Sequence, residues 1–385
     1  MRRQDKGYRL LFFLVSFLGL VPAGVYAYQN PKYEIEARID TLKHTISAKQ
    51  KVTFTNNSDK PAEALYFHIY PHRKYTQKER DFILRYAAYF KVNPFPEGFQ
   101  SGDFILNSVS IQGKGLKYSI EGEDQTILRV DLESHLGPGE KTEIDLDYQA
   151  VIPHSYGRFG WHKNIISLLR WYPMLSVLDN QGWHNYPFYP YHQPYFSEAA
   201  DYSVNLTIPQ DQVVIHSGIL KSEKLNNDAT KTILIESEQP LRDFGLSLSP
   251  EYKLVSAQVE GVKINSYYLV GDDFYARKAI ESAKDLMVFY AKEFTPYPYK
   301  EFNIAPVYLG YGGTQSSNLI LIDSRAYHLP KFLVRYFDFL IAHETGHQWF
   351  YNLVGSDEYK EMVIDEGMNS YWTLRYLENK YGEDA

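Results

Sequence analysis

A change of period near residue 270 limits the folds open to this chain more than any other feature. Before it, Tyr33, Ile35, Ala37 and Ile39 alternate with Glu34, Glu36 and Arg38. The same period of two returns at Leu65, Phe67 and Ile69, at Ile144, Leu146 and Tyr148, and at Tyr202, Val204, Leu206 and Ile208. Successive side chains of a strand point to opposite faces, so each run predicts a strand with one buried face. Turn signals such as NNSDKP at 56–61 and GPGE at 137–140 separate the runs, as in antiparallel sheets. After the change, Ala276, Ile280, Ala283, Met287 and Tyr290 recur at helical spacing, and TPYPY closes the segment. The expectation is an α+β protein, with a β-rich domain over 28–260 and a mainly helical domain over 261–385.

With 385 residues, 44% of them hydrophobic, the chain can bury the cores of two domains. Aromatics at 16%, 34 of them tyrosines, suit half-buried sheets. A net charge of −7 with dispersed basic residues provides no electrostatic footprint for nucleic acid. The absence of cysteine excludes disulfides and thiolate ligands, so any metal site must use nitrogen and oxygen.

At the N-terminus, MRRQDKGYR precedes the apolar run LLFFLVSFLGLV, then Pro22 and VYA. This pattern predicts a signal peptide cut after Ala27 and an exported protein. An uncleaved anchor with membrane association is the alternative, although Leu10 to Val21 is shorter than the ~20 residues that span a bilayer. The prolines of GWHNYPFYPYHQPYF, 182–196, exclude a regular helix or central strand. It is expected to be an aromatic loop packing a sheet edge against the next domain, with a substrate wall as the alternative reading.

The chemistry concentrates in IAHETGHQWFYNLV, 341–354. Residues four apart on a helix share a face, so His343 and His347 can direct ring nitrogens at one ion. Glu344 stands beside them as a candidate general base, the H-E-x-x-H arrangement of zinc hydrolases. Pro330 opens the segment, and Phe332, Leu333, Tyr336, Phe337 and Leu340 repeat at helical spacing, which predicts a long, largely buried helix carrying the motif. A catalytic zinc needs a third protein ligand. Eighteen residues lie between His347 and Glu366, which stands in the first turn of a second helical pattern, DEGMNSYWTLRYLENKYG being read as one helix, and can fold back as that ligand.

HETGHQWFYNLV, its spacer and DEG resemble the zinc site of the gluzincin aminopeptidases, the group of membrane alanyl aminopeptidases and leukotriene hydrolase. The resemblance implies an N-terminal β saddle followed by a thermolysin-like catalytic domain, one zinc ion held by His343, His347 and Glu366, and Glu344 as base. Asp365 stands where the family commonly has asparagine, with a bracing role implied. Upstream, GGTQSSNLILID aligns with the family's Gly-x-Met-Glu-Asn stretch, placing Gly312 and Gly313 in the substrate site; by its residues alone the stretch reads as a glycine turn leading into an edge strand, NLILID. Thr314 and Gln315 replace the family's methionine and glutamate. In the family that glutamate grips the substrate's free amino group, so Gln315 departs from the pattern. The family's oxyanion-stabilising tyrosine has no counterpart here, and the chain is read as the N-terminal part of such an enzyme, with an incomplete catalytic domain. The expected activity is aminopeptidase-type peptide hydrolysis. The alternatives are a zinc endopeptidase or broad peptidase needing no free amine, and an exported zinc-containing binding protein without turnover.

Overall fold

The computed structural model describes residues 28–97, 99–189 and 194–382. The expected signal segment lies outside them. The predicted alternation appears as a burial pattern: Tyr33, Ile35, Ala37 and Ile39 of Lys32–Asp40 are buried and the residues between them face solvent.

That strand lies inside an eight-stranded sheet. Its order is Ile219–Leu225, Thr230–Glu236, Asp201–Pro209, Lys32–Asp40, Thr45–Thr55, Lys141–Val151, Asp103–Ile111 and Lys114–Gly115. Most neighbours are antiparallel, as expected, but Lys32–Asp40 runs parallel to Asp201–Pro209. A tight hairpin forces its two strands to oppose, whereas a connection this long leaves the direction free. Two four-stranded sheets, one built around Ala62–His68 and Ile127–Leu136 and the other around Ile165–Leu168 and Leu246–Ser249, join the eight-stranded sheet in the N-terminal part, with a small hairpin of Leu178–Asp179 and Gly182–Trp183. Helix α1, Gln77–Tyr89, interrupts this β-rich region. Thr76 and Glu79 form its capping box, each side chain satisfying the other's backbone N–H.

The second part pairs helices with a five-stranded sheet, in which the expected edge strand, Leu319–Asp323, is an interior strand. Its order is Lys253–Val259, Val262–Tyr268, Glu301–Val307, Leu319–Asp323 and Gly313–Ser316. This sheet begins before the expected division at residue 260. Gly313–Ser316 is an edge strand, paired antiparallel with Leu319–Asp323 on one side. Helix α2, Asp273–Glu293, occupies the segment expected of it.

Helix α3, Val334–Gly346, is shorter than the predicted motif helix. A 3₁₀ turn at Lys331–Leu333 leads into it, with Phe332 82% exposed, and burial begins at Phe337. Proline removes a backbone donor and fixes φ, which favours this tight start. Helix α4, Asn369–Tyr381, follows a wide helical turn at Val363–Met368, so the single predicted second helix is divided. One apolar cluster runs from Tyr33 and Val52 through Phe244 and Phe302 to Phe337 and Tyr376, joining the β-rich part to the helices. Among the described residues, no helix is long and apolar enough to cross a membrane.

Candidate metal centre

The two motif histidines straddle the end of α3: His343 lies in its last turn and His347 is its C-terminal cap. Their rings stand 4.8 Å apart at 86°. Ligating atoms of His343, His347 and Glu366 all lie within 4.8 Å of one another. His343 Nε2 is 3.3 Å from Glu366 Oε2. Bringing Glu366 there requires the chain to return after α3, and Asn369 secures that return. Its Nδ2 donates to the His343 carbonyl at 2.8 Å, tying the start of α4 to α3.

The ring orientation of His347 is also set locally. Its Nδ1 lies 3.1 Å from the Phe350 carbonyl oxygen and 2.8 Å from Asp365 Oδ1. Two acceptors on that nitrogen leave Nε2 as the free ligating atom, the arrangement by which an outer partner selects a histidine tautomer. Two imidazole nitrogens and one carboxylate oxygen, with no thiol, are the donor set of a catalytic zinc with an open coordination position. The residues present therefore fit the ion.

The electrostatics agree with a cation site. Burial disfavours the His347 imidazolium, but the carboxylates of Asp365, Glu344 and Glu366 together outweigh it and lift the group to about 10. Burial works against ionised Glu366 too, yet the hydrogen bond from His343 and the charges of both imidazoles hold it at about 2. The His347 imidazolium thus carries positive charge where a divalent ion would otherwise supply it, and an ion must displace its proton to bind.

Glu344 points to the edge strand. It is 5% exposed, and burial pushes its carboxyl above the ordinary carboxylate range, with His343 and His347 partly countering. A Cβ on Gly313 would come within 2.6 Å of Glu344 Cγ, so the strand backbone lies directly against this side chain. Gly312 is packed in the same way over Leu340. Gln348 fixes the spacing between α3 and the sheet, because its Nε2 donates to the Ser316 carbonyl and its Oε1 accepts from Asn318 N–H and Tyr297 O–H.

Gln315 is buried two residues beyond Gly313 on the same strand, which turns its side chain to the face on which Gly313 meets Glu344. The hydrogen bond from Asp323 N–H to the Gly312 carbonyl sets the ladder phase. In an antiparallel ladder that phase directs the backbone groups of Gly313 and Gln315 outward, along the open edge. All seven residues singled out by sequence, His343, Glu344, His347, Glu366, Gly312, Gly313 and Gln315, thus gather where α3 meets the edge strand.

Sequence reasoning missed Asn369, Gln348 and Glu358. Their partners are remote in the chain, so no spacing could reveal them. The aromatic loop does pack against this region: Tyr186 stacks on Tyr359 at 4.0 Å and donates to Asp357 Oδ2, while Tyr195 N–H donates to Glu358 Oε2. Those contacts brace the 356–361 turn that precedes Glu366.

Residues 278–385 match the family described as Peptidase family M1 domain. Among curated proteins no sequence matches significantly. In three dimensions the chain resembles the crystal structure of an M1 zinc metallopeptidase from Deinococcus radiodurans, with a TM-score of 0.59 and 15% identity over 91% of this chain and 71% of that one. It equally resembles a mutant of an M1 zinc metallopeptidase from the same organism bound to a Tyr-Ser-Ala substrate, with a TM-score of 0.60 and 15% identity over 91% and 72% of the respective chains. At that identity the likeness is one of fold. Residues 278–385 thus match the Peptidase family M1 domain, and the chain as a whole has the two-domain fold seen in the M1 zinc metallopeptidases.

Proposed function

We propose that this protein is an exported zinc peptidase that hydrolyses peptides at the edge of the Gly313–Ser316 strand, with Glu344 as general base. The observation that carries this reading is the contact of Glu344 with Gly313 beside the His343, His347 and Glu366 cluster. It sets base, ion ligands and peptide-binding edge within one turn of helix.

An extended peptide would add to the open edge through the outward backbone groups of Gly313 and Gln315. His343, His347 and Glu366 would hold one zinc ion, which when bound polarises a carbonyl and lowers the pKa of water. Glu344, buried and raised, takes a proton from the attacking water and returns it to the departing amine. Asp365 and the Phe350 carbonyl keep His347 in the ligating tautomer.

The peptide class finds support in the structural relative bound to Tyr-Ser-Ala. An aminopeptidase must also hold the substrate's free amine. Gln315 has the position for this and offers a neutral carbonyl, which favours weaker discrimination against blocked peptides than a carboxylate would impose. The test is Glu344→Gln beside the wild type. The variant is expected to keep one zinc per chain by elemental analysis and to lose peptide hydrolysis. Hydrolysis at the wild-type rate would remove Glu344 from the mechanism.

A further inference from the structure

Three backbone segments must hold their places for His343, His347 and Glu366 to meet an ion beside the edge strand: the turn after His347, the segment before Glu366 and the end of Gly313–Ser316. One side chain from the β-rich part is linked to all three. Arg170 follows the strand Ile165–Leu168 and is 2% exposed. Its backbone has φ 55°, in the left-handed region that residues other than glycine seldom adopt and that recurs at functional sites.

The first link runs to His347. The helical path breaks at Phe350 and Tyr351, whose φ and ψ are not helical. In a continuing helix the Phe350 carbonyl would point along the axis toward the C-terminus, away from His347. The break instead leaves its oxygen 3.1 Å from His347 Nδ1. Tyr351, 3% exposed, accepts a hydrogen bond from Arg170 Nη2 at 2.7 Å, which pins the broken turn.

The second link runs to the segment before Glu366. The Arg170 guanidinium lies 3.2 Å from the centre of the Tyr195 ring, and Tyr195 N–H donates to Glu358 Oε2 at 2.6 Å. The third link runs to the edge strand. Arg170 Nη2 is 3.4 Å from Asp243 Oδ2, and Asp243 Oδ1 accepts from the Ser316 hydroxyl and from Ser317 N–H, both at 2.9 Å. Ser316 is the last residue of that strand. A planar guanidinium can stack on one ring and donate in its own plane at the same time, which an ammonium cannot do. Burying such a charge is costly, and an apolar residue would serve packing alone at least as well.

We propose that Arg170 is a positioning residue for the metal centre, fixing the His347 turn, the approach to Glu366 and the substrate strand relative to one another. It is not itself a ligand and acts through Tyr351, Tyr195 and Asp243. Its effect on the strand rests on the peptidase reading above, whereas its effect on the metal ligands does not.

The experiment compares the full-length wild type with Tyr351→Phe, Arg170→Lys and Arg170→Met. Zinc affinity is measured by competition with a chelator, the geometry of the ligand set by the visible spectrum after loading with cobalt(II), and stability by a thermal melt of the metal-free protein. Affinity should fall about 3–10-fold in Tyr351→Phe, which removes only the accepting hydroxyl, and about 10–100-fold in Arg170→Met. The cobalt bands should shift in both. Arg170→Lys keeps a charge beside Asp243 without the planar fork, so it should melt near the wild-type midpoint yet bind zinc as weakly as Tyr351→Phe.

Wild-type zinc affinity and cobalt spectrum in both Tyr351→Phe and Arg170→Lys would overturn the proposal, even with a lower melting midpoint, the mark of a merely structural arginine. If Arg170→Met fails to fold, those two variants decide. Zinc binding by the wild type without peptide hydrolysis, with affinity lost in the variants, would keep the role of Arg170 and refute the peptidase reading; hydrolysis with affinity and spectrum unchanged in the variants would do the reverse.

Discussion

Gly313→Ala is the sharpest perturbation of the centre that leaves every candidate metal ligand in place. The added methyl carbon would lie 2.6 Å from Glu344 Cγ, 2.8 Å from its Cδ and 2.7 Å from Oε1. Carbon atoms pack best at about 3.5–4.0 Å, so one partner must move by roughly 1 Å. Gly313 is not among the glycines with positive φ, so the backbone tolerates alanine and the effect is one of contact alone. The buried Glu344 carboxyl is what gives way. A displacement of about 1 Å at a reacting group costs on the order of 10²-fold in rate, and the overpacking itself costs about 1–3 kcal/mol of stability. The assay is kcat and KM on a cleaved peptide, with zinc content and a thermal melt on the same sample. The expected result is a ~10²-fold lower kcat with zinc retained and a modestly lower melting midpoint. Wild-type kcat in a zinc-replete, folded variant would refute the reasoning, because the base would then not depend on its seat against the strand.

Asp365→Ala should weaken zinc binding by about 10–100-fold, measured by competition with a chelator, because His347 loses the carboxylate beside its Nδ1. Unchanged affinity would leave the Phe350 carbonyl as the sufficient brace. Gln315→Glu should strengthen recognition of a free amine by about 1–2 kcal/mol, seen as a higher ratio of free to N-acetylated peptide turnover; an unchanged ratio would remove residue 315 from amine binding. Burial, and then the charge of Asp365, pushes the Glu358 carboxyl from 4.5 to about 8. The folded protein then keeps a proton that the unfolded chain gives up at lower pH, so this contribution to stability is full below about 4.5 and is lost as pH rises through about 8. Glu358→Gln retains an acceptor for Tyr195 N–H and should flatten the fall in melting midpoint across that window; parallel curves for the two proteins would contradict the shift.

Local signals in the sequence are legible in several elements that have one face in water. Tyr33 to Ile39 alternate because that strand has one buried face, and α2 shows its helical period for the same reason. The strands Glu301–Val307 and Leu319–Asp323 are buried almost throughout, so their apolar runs carry no period and only the second was recognised as a strand. Helix α1 had a legible start in Thr76 and Glu79, a capping box that went unread among strands.

The sequence by itself determined that His343 and His347 can offer donors to one ion with Glu344 beside them, because residue type and helical spacing bring the two rings to one face before any tertiary contact forms. It also determined that a β-rich region precedes a helix-rich one. Only the tertiary structure decided the parallel pairing of Lys32–Asp40 with Asp201–Pro209, the seat of Glu344 against Gly313, and the meeting of Tyr351, Tyr195 and Asp243 at Arg170. Those contacts join residues far apart in the chain. Their partners are chosen by packing the sheets and helices together, and no local period or propensity records that choice.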